Sequence, residues 1–481
     1  MNRHMVINVL GSLSLAAAAL MGLPAIVSII YGEWNILISF LIAIGIAIVL
    51  GLIMKLVTKP ENKVIYAKEG FVIVSFAWII MSVIGALPFF ISREIPDFFD
   101  ALFEMVSGFT TTGASIIPNV ENISHGLLFW RSFSHWIGGM GVLVFVMALI
   151  PNMPDRSIHI MRAEMPGPEV DKIVPRARDT AKILYLIYIV MTLIEIIMLT
   201  AGGMPIFDSL LHSFGTAGTG GFSTKAAGIA HYGPYIQWVI AVFMILFGVN
   251  FNLYYLLLIR RFKSVIRSTE LWVYLGIIAA SITIIVIDIH SIYGSFSETL
   301  RQSTFQVASI ISTTGYATAD FNLWPGLSKA VLLFLMVVGA CAGSTAGGLK
   351  VSRVIILVKS VVRELKRAIH PRSVKVVKVD GKKLDSNTVN GVTSYFAIYV
   401  MLIIGIFVLL SIEDFSVETN LSATLATFNN IGAGFDMVGP TVNYSCYNQF
   451  STFIMTIAML LGRLEIFPLI LGLNPMLWKK R

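Results

Sequence analysis

The stretch Ser312-Thr313-Thr314-Gly315-Tyr316 decides how the rest of the chain is read. It follows a short run of helical character, Glu298 to Ile311, and lies between two apolar segments. Glycine permits dihedrals closed to other residues, so Thr-Thr-Gly-Tyr can expose a row of backbone carbonyls. One such loop encloses nothing. Four around an axis would replace the water shell of a dehydrated cation.

The chain holds three more. Thr110-Thr111-Thr112-Gly113, Gly218-Thr219-Gly220-Gly221 and Asn429-Asn430-Ile431-Gly432 have the same setting. Their glycines recur at intervals of roughly a hundred residues, and a long-period repeat outranks any local motif. Each loop follows a short apolar run with an acid near its start: Asp97 and Asp100, Asp208, Glu298, Glu418. A single Thr-Thr-Gly is more often an ordinary turn. Four in register, each between two membrane-length segments, spell a helix–pore loop–helix unit written four times.

Composition places that unit in a membrane. Hydrophobic residues make up 56% of the 481, charged ones 13%, and the mean hydropathy is +0.81. A soluble chain carries about a quarter charged residues. Two cysteines, Cys341 and Cys446, support neither a disulfide framework nor a thiolate metal site.

The expected fold is an all-α polytopic membrane protein, with four pseudo-symmetric repeats around a central ion pore and two extra N-terminal transmembrane helices. Residues 1–69 hold the two extra spans, Met5 to Ile30 and Trp34 to Met54. The first of these is read as retained rather than as a cleaved signal peptide, because its apolar stretch is too long. The repeats cover 70–155, 156–265, 266–385 and 386–481. Their first spans are Phe71–Ile91, Ile183–Leu199, Leu271–Ile289 and Val392–Leu410. The spans after the loops are Leu127–Ile150, Ile236–Leu258, Ala330 onward and Phe453–Leu473. Each is near the ~20 residues that cross a bilayer.

Charge gives an orientation. Most of the 35 Lys and Arg lie at the N-terminus, in the segments joining repeats, or in the tail Lys479-Lys480-Arg481. The positive-inside rule then puts both termini and the linkers in the cytoplasm, and all four loops at the outer side. The net charge of +8 is thus topological and does not indicate nucleic acid.

Two further features bear on the pathway. The run Gly339-Ala340-Cys341-Ala342-Gly343-Ser344-Thr345-Ala346-Gly347-Gly348-Leu349-Lys350 has four glycines in twelve residues, too many for a stable helix. Close helix packing through small residues is the plainer reading, but the polar residues and glycines are contiguous rather than spaced by four. A broken helix beneath the loops is expected. Arg463 lies in the last span, where a buried Arg needs an interior partner. Carbonyls freed by the broken helix suit it better than Glu465, two residues away. Arg131 reads as a snorkelling residue near a helix head. His135 reads as a satisfied core residue, and Asn250 and Asn252 as interhelical hydrogen bonders. The segment from Arg363 to Lys383 reads as strands or coil.

On these residues the chain resembles the Trk/Ktr/HKT superfamily of potassium transporters, and most of all the TrkH-type membrane subunits of bacterial Trk systems. The likeness covers nearly the whole chain. It implies a K+ filter at Thr111, Thr112, Gly113, Thr219, Gly220, Gly221, Thr313, Thr314, Gly315, Asn430, Ile431 and Gly432. Gly113, where sodium-selective plant relatives carry Ser, implies potassium. Loops two and four depart from the Thr-rich pattern, so the ring is only pseudo-fourfold. The resemblance also implies an intramembrane gating loop over 339–350, with Gly339, Gly343, Ser344, Thr345, Gly347, Gly348, Lys350 and Arg463 as gate residues. It further implies location in the bacterial inner membrane, a homodimer and a ring of cytosolic nucleotide-binding regulatory subunits, which the basic linkers would suit. The K+ ion is the cargo; no organic cofactor is expected.

A proton- or sodium-coupled symporter is the rival reading. It needs a titratable relay near the midplane. Glu104, Glu195, Asp288 and Glu465 are the candidates, and they do not fall at equivalent positions of the repeats. No nucleophile–base spacing or phosphate loop points to an enzyme. Gly138-Gly139-Met140-Gly141 is not a nucleotide fingerprint, because no strand precedes it.

Overall fold

The computed structural model describes residues 1–58, 66–141, 177–372 and 376–474. Helices α1 (Arg3–Leu20) and α2 (Gly22–Ile30) make one apolar span, and α3 (Trp34–Val57) a second. Both α1 and α3 pack on α4 (Ala67–Ser92), the outer helix of the first of four similar units.

Each unit is an outer helix, a short helix and an inner helix. The first adds α5 (Phe98–Phe109) and α6 (His125–Gly139) to α4. The second comprises α7 (Ala177–Ala201), α8 (Ile206–Gly218), and α9 (Pro234–Phe247) with α10 (Phe251–Leu258). After the connector α11 (Phe262–Ile266), the third has α12 (Thr269–Ile289), α13 (Phe296–Ile311), α14 (Gly326–Val338) and α15 (Val351–Ile369). The fourth has α16 (Ser386–Leu410), α17 (Val417–Phe428), α18 (Gln449–Arg463) and α19 (Phe467–Leu473).

The units close on themselves. Helix α6 packs on α8, α9 on α13, α14 on α17, and α18 returns to α5. Each inner helix thus touches the next unit's short helix, and the fourth unit meets the first. Beyond their first turns the short helices are largely buried, polar residues included; α13 buries Gln302, Ser303, Gln306 and Ser309. A polar helix at membrane depth is tolerated only when protein encloses it. The outer helices show the reverse. Only 28% of the apolar window of α12 and 22% of that of α16 is buried, which leaves their Ile, Leu and Val side chains to face lipid. Among the described residues, six helices are long and apolar enough to cross a membrane, and up to eight if each bent pair counts as one span.

Several expectations change. The span Ile236–Leu258 is bent by 89° between α9 and α10, and Phe453–Leu473 by 114° between α18 and α19. At the first bend Asn250 accepts from Asn252 N at 2.9 Å, so it caps α10 rather than bridging helices. At the second, Glu465 and Ile466 have φ of 55° and 64°, and Pro468 could not continue α18 because its ring would meet the Leu464 carbonyl. The stretch from Arg363 is helical to Ile369, not coil; only Lys378–Val379 (β1) and Lys382–Lys383 (β2) pair as a small hairpin. The second half of the expected span Leu127–Ile150, the basic residues Arg156 to Arg176, Lys59 and Lys63, and the tail Lys479–Arg481 lie outside the described residues.

Candidate functional site

The four short helices end alike. Each C-terminus places a left-handed residue two positions before the loop glycine: Thr111 (φ 55°), Thr219 (56°), Thr313 (56°) and Asn430 (55°). The glycines follow at φ 81°, 76°, 81° and 84°. In every case the N–H of the intervening residue reaches back five residues. Thr112 bonds Ser107 O, Gly220 bonds Gly215 O, Thr314 bonds Ser309 O and Ile431 bonds Ala426 O, all at 2.8–2.9 Å. This is the Schellman ending, normally built on glycine. Here a β-branched Thr fills the left-handed position three times, at a cost of ~1–3 kcal/mol each that the surroundings must overcome. Positive φ at alternate residues turns successive carbonyls toward one side of the strand, which a regular strand does not do.

The loops also touch in a ring. A Cβ added at Gly113 would stand 1.9 Å from Gly220 O. At Gly221 it would stand 2.0 Å from Thr314 O, at Gly315 1.9 Å from Ile431 O, and at Gly432 2.4 Å from Thr112 O. Every glycine is pressed against the carbonyl that precedes the next glycine, around to the start. All four line one opening of about 170 Å³ on the side of the loops away from the short helices.

Each short helix also holds the strand leaving its own loop. Glu104 Oε2 accepts from Ile116 N at 3.0 Å, and His212 Nε2 meets Ser223 Oγ at 3.1 Å. The Gln306 amide, oriented by its network, accepts from Thr318 N and Ala319 N at 3.0 and 3.2 Å. Ser422 Oγ accepts from Phe435 N at 2.9 Å. Sequence reasoning missed this set. Its signal was present, since Glu104, His212 and Gln306 each stand nine residues before a loop glycine.

At the starts of the short helices, Asp97 caps α5, accepting from Phe99 N at 2.7 Å and Asp100 N at 3.2 Å. Ser295 and Ser416 are the caps of α13 and α17; Glu298 and Glu418 lie in the first turn, where the helix dipole favours an anion. Asp208 instead accepts from Thr224 Oγ1 and Tyr232 OH.

Beneath the loops the symmetry ends. All four inner helices stop at a similar place: α6 at Gly139, α9 at Phe247, α14 at Val338 and α18 at Arg463. Among the described residues, the third is followed by a long irregular segment, 339–350, and it reaches the other breaks. Gly347 N donates to Thr313 Oγ1 at 2.6 Å, so the segment touches the underside of the third loop. Cys341 N donates to Gly248 O at 3.1 Å, and Phe251 N to Gly343 O at 3.0 Å. Glu270 Oε1 accepts from both Ala342 N (2.7 Å) and Ser352 N (3.1 Å), gripping the segment near its two ends. Lys350 Nζ donates to Ala346 O. The buried backbone is thereby paired, as non-helical chain at this depth requires.

Arg463 completes the assembly. Its Nη1 donates to Thr345 O at 2.8 Å, and its Nη2 to Gly138 O and Gly139 O at 2.5 and 2.7 Å. Glu465 pairs elsewhere, with Arg353, whose guanidinium also lies over the Tyr395 ring. The cavity bounded by Gly139, Gly343, Gly347, Lys350, Gly462 and Arg463 is only about 40 Å³. Two other expectations change here. Arg131 does not snorkel: it is buried against Glu104. His135 is buried, with Nδ1 on Gly108 O at 2.8 Å but no hydrogen-bond partner for Nε2. Among the described residues, no group of three or more His, Cys, Asp or Glu could hold a metal ion.

Four re-entrant helix–loop units closed into a ring within a lipid-facing shell define a polytopic membrane protein of the pore-loop class. Comparison with known proteins gives the family. Residues 36–480 match the TrkH family, described as cation transport proteins, and the chain belongs to that family. It is 35% identical over 490 residues to the Trk system potassium uptake protein TrkH of Salmonella typhimurium, covering 100% of both chains. It is 33% identical over 465 residues to the Trk system potassium uptake protein TrkG of Escherichia coli, covering 95% of this chain and 94% of that one. The solved potassium transporter TrkH from Vibrio parahaemolyticus superposes with a TM-score of 0.89 at 30% identity, covering both chains fully.

Proposed function

We propose that the chain takes up potassium across the bacterial inner membrane through a gated, channel-like pore. Its four loops act as a carbonyl-lined selectivity filter at the outer side, and its termini and basic linkers face the cytoplasm. The observation that carries this reading is the identical backbone geometry of the four loops, closed into a ring by glycine–carbonyl contacts. The potassium uptake named for full-length relatives supports it.

K+ enters as cargo, exchanging water for the oxygens around Gly113, Gly221, Gly315 and Gly432. The C-termini of α5, α8, α13 and α17 add partial negative charge below the filter. The segment 339–350 is the gate, and Arg463 holds it closed while placing a fixed positive charge on the exit path. Two copies form the working unit, and a cytosolic nucleotide-binding ring sets the gate through the basic linkers.

The pore reading stands ahead of coupled symport because three of the four candidate acids are engaged in structure. That leaves Glu195, buried with neither carboxylate oxygen hydrogen-bonded, and one acid alone makes no relay. Glu104 pairs with Arg131, Asp288 accepts from Ser328, and Glu465 pairs with Arg353. Flux of K+, Rb+ and Na+ from purified protein in liposomes, with and without a pH gradient, tests it. K+ and Rb+ are expected to outrun Na+ at a rate indifferent to the gradient. Uptake that stops without the gradient would overturn the pore in favour of the symporter.

A further inference from the structure

One charged pair lies directly behind the filter and has no counterpart among the described residues of the other three repeats. Glu104 sits mid-way along α5 and is fully buried; Arg131, on α6, is 4% exposed. Arg131 Nε donates to Glu104 Oε1 at 2.5 Å. The same carboxylate accepts from Ser115 Oγ at 3.2 Å and Ile116 N at 3.0 Å, both on the strand leaving the first loop. Arg131 extends the other way. Its Nη1 donates to Ser223 O at 3.3 Å, two residues beyond Gly221, and its guanidinium lies 3.4 Å from the centre of the Phe222 ring.

The pair therefore joins two filter loops that no peptide segment of similar length connects. His212, Gln306 and Ser422 fill the corresponding place in the other repeats, and each engages the strand of its own loop. Only the contact between loops one and two is spanned by a charge-assisted bridge, and Arg guanidinium geometry suits a two-ended span. Arg131 also lines the opening where a cation would arrive. An uncompensated Arg there would repel it, so the Glu104 charge is needed even apart from geometry.

We propose that Glu104 and Arg131 are positioning residues that set the spacing between the first and second filter loops, and with it the preference for K+ over Na+. This rests on the filter reading above. K+ and Na+ fluxes of the parent protein in liposomes test that reading by themselves, since a parent without K+ preference fails it before any variant is made. Given a selective parent, Glu104→Gln keeps an acceptor for Ile116 N but leaves Arg131 unpaired. It is expected to lower the K+/Na+ flux ratio about tenfold, the change that 1.4 kcal/mol of lost discrimination gives. Glu104→Gln/Arg131→Gln removes both charges and is expected to recover part of the ratio, which a double-mutant cycle reads directly. Arg131→Lys keeps the charge but loses the fork that reaches Ser223, and is expected to lower the ratio with little loss of folded protein. It also decides the matter if Glu104→Gln fails to fold. Thermal stability is measured alongside. A parent-like ratio in Glu104→Gln and Arg131→Lys, with only the melting temperature lowered, would reduce the pair to a fold-stabilising contact. So would a double variant no better than the worse single one.

Discussion

The ring of loops and the segment beneath it solve opposite problems with the same material, irregular backbone buried at membrane depth. The ring is written four times, with matching dihedrals at Thr111, Thr219, Thr313 and Asn430. The segment 339–350 has no equivalent among the described residues, and it borrows partners from its neighbours: Gly248, Phe251, Thr313, Glu270 and Arg463. In the proposed function the ring selects an ion by its coordination shell, which needs oxygens on all sides and so a repeated geometry, while the segment gates. Obstructing a path needs an object on one side only. That difference also explains why side-chain types in the ring vary while its backbone does not. Thr, Gly and Ile all precede the glycines, because what they supply is a carbonyl.

The comparison breaks most readily at the ring. Gly315→Ser sets a Cβ within 1.9 Å of the Ile431 carbonyl, and neither backbone can yield without moving the next contact. K+ flux in liposomes is expected to fall to background in folded protein. Gly432→Ser, with 2.4 Å available, should lose less. Equal, parent-like flux in both would end the filter model.

Shortening 339–350 is the next test, and its effect has the opposite sign. Flux should rise and depend less on a cytosolic partner. A folded deletion that conducts no faster would make the segment mere packing.

Arg463→Ala should raise K+ flux by a smaller factor, and Arg463→Lys should hold most of the barrier because it keeps the charge. Glu465 does not share in this. Its partner is Arg353, so Glu465→Gln should leave flux alone and cost stability on the scale of a broken buried pair, ~3–5 kcal/mol. Thermal melts and flux on both variants separate the two roles. A flux gain in Glu465→Gln matching that of Arg463→Ala would merge them.

The smallest expected effect lies at Tyr444, whose hydroxyl donates to Gly432 O at 2.7 Å from outside the ring. Tyr444→Phe should cost about 1 kcal/mol in a thermal melt, the net worth of one hydrogen bond, with a slight fall in K+/Na+ ratio. A large selectivity loss would mean the ring leans on outer supports more than on its own contacts.

How much could be read without coordinates follows from the physics of each part. The four loops were legible because glycine after a polar helix end is a local signal, and its recurrence removed the ambiguity. The third inner-helix break was legible because four glycines announced it. The breaks at Gly248–Asn250 and Gly462–Ile466 were not. Each has a single glycine, and the bend is fixed by partners distant in sequence, such as Gly343 O at the first. Arg131 was misread for a similar reason. An Arg near a helix head has a solvent route and a buried route, and only a carboxylate 27 residues away decides between them. The strand-holding residues Glu104, His212, Gln306 and Ser422 share no residue type; a common nine-residue spacing to the loop glycine groups the first three, and Ser422 breaks even that.

One oxygen of Glu270 takes the amides of both Ala342 and Ser352. A latch whose two ends meet on a single atom has no half-way position. Freeing one amide leaves the other sharing an acceptor that is already moving. Release at either end weakens the hold at both, so the two amides should gain exposure to solvent deuterium together. The proposed gate would then switch in discrete steps, and a population of these proteins would grade its uptake by how many are open rather than by how far each one opens.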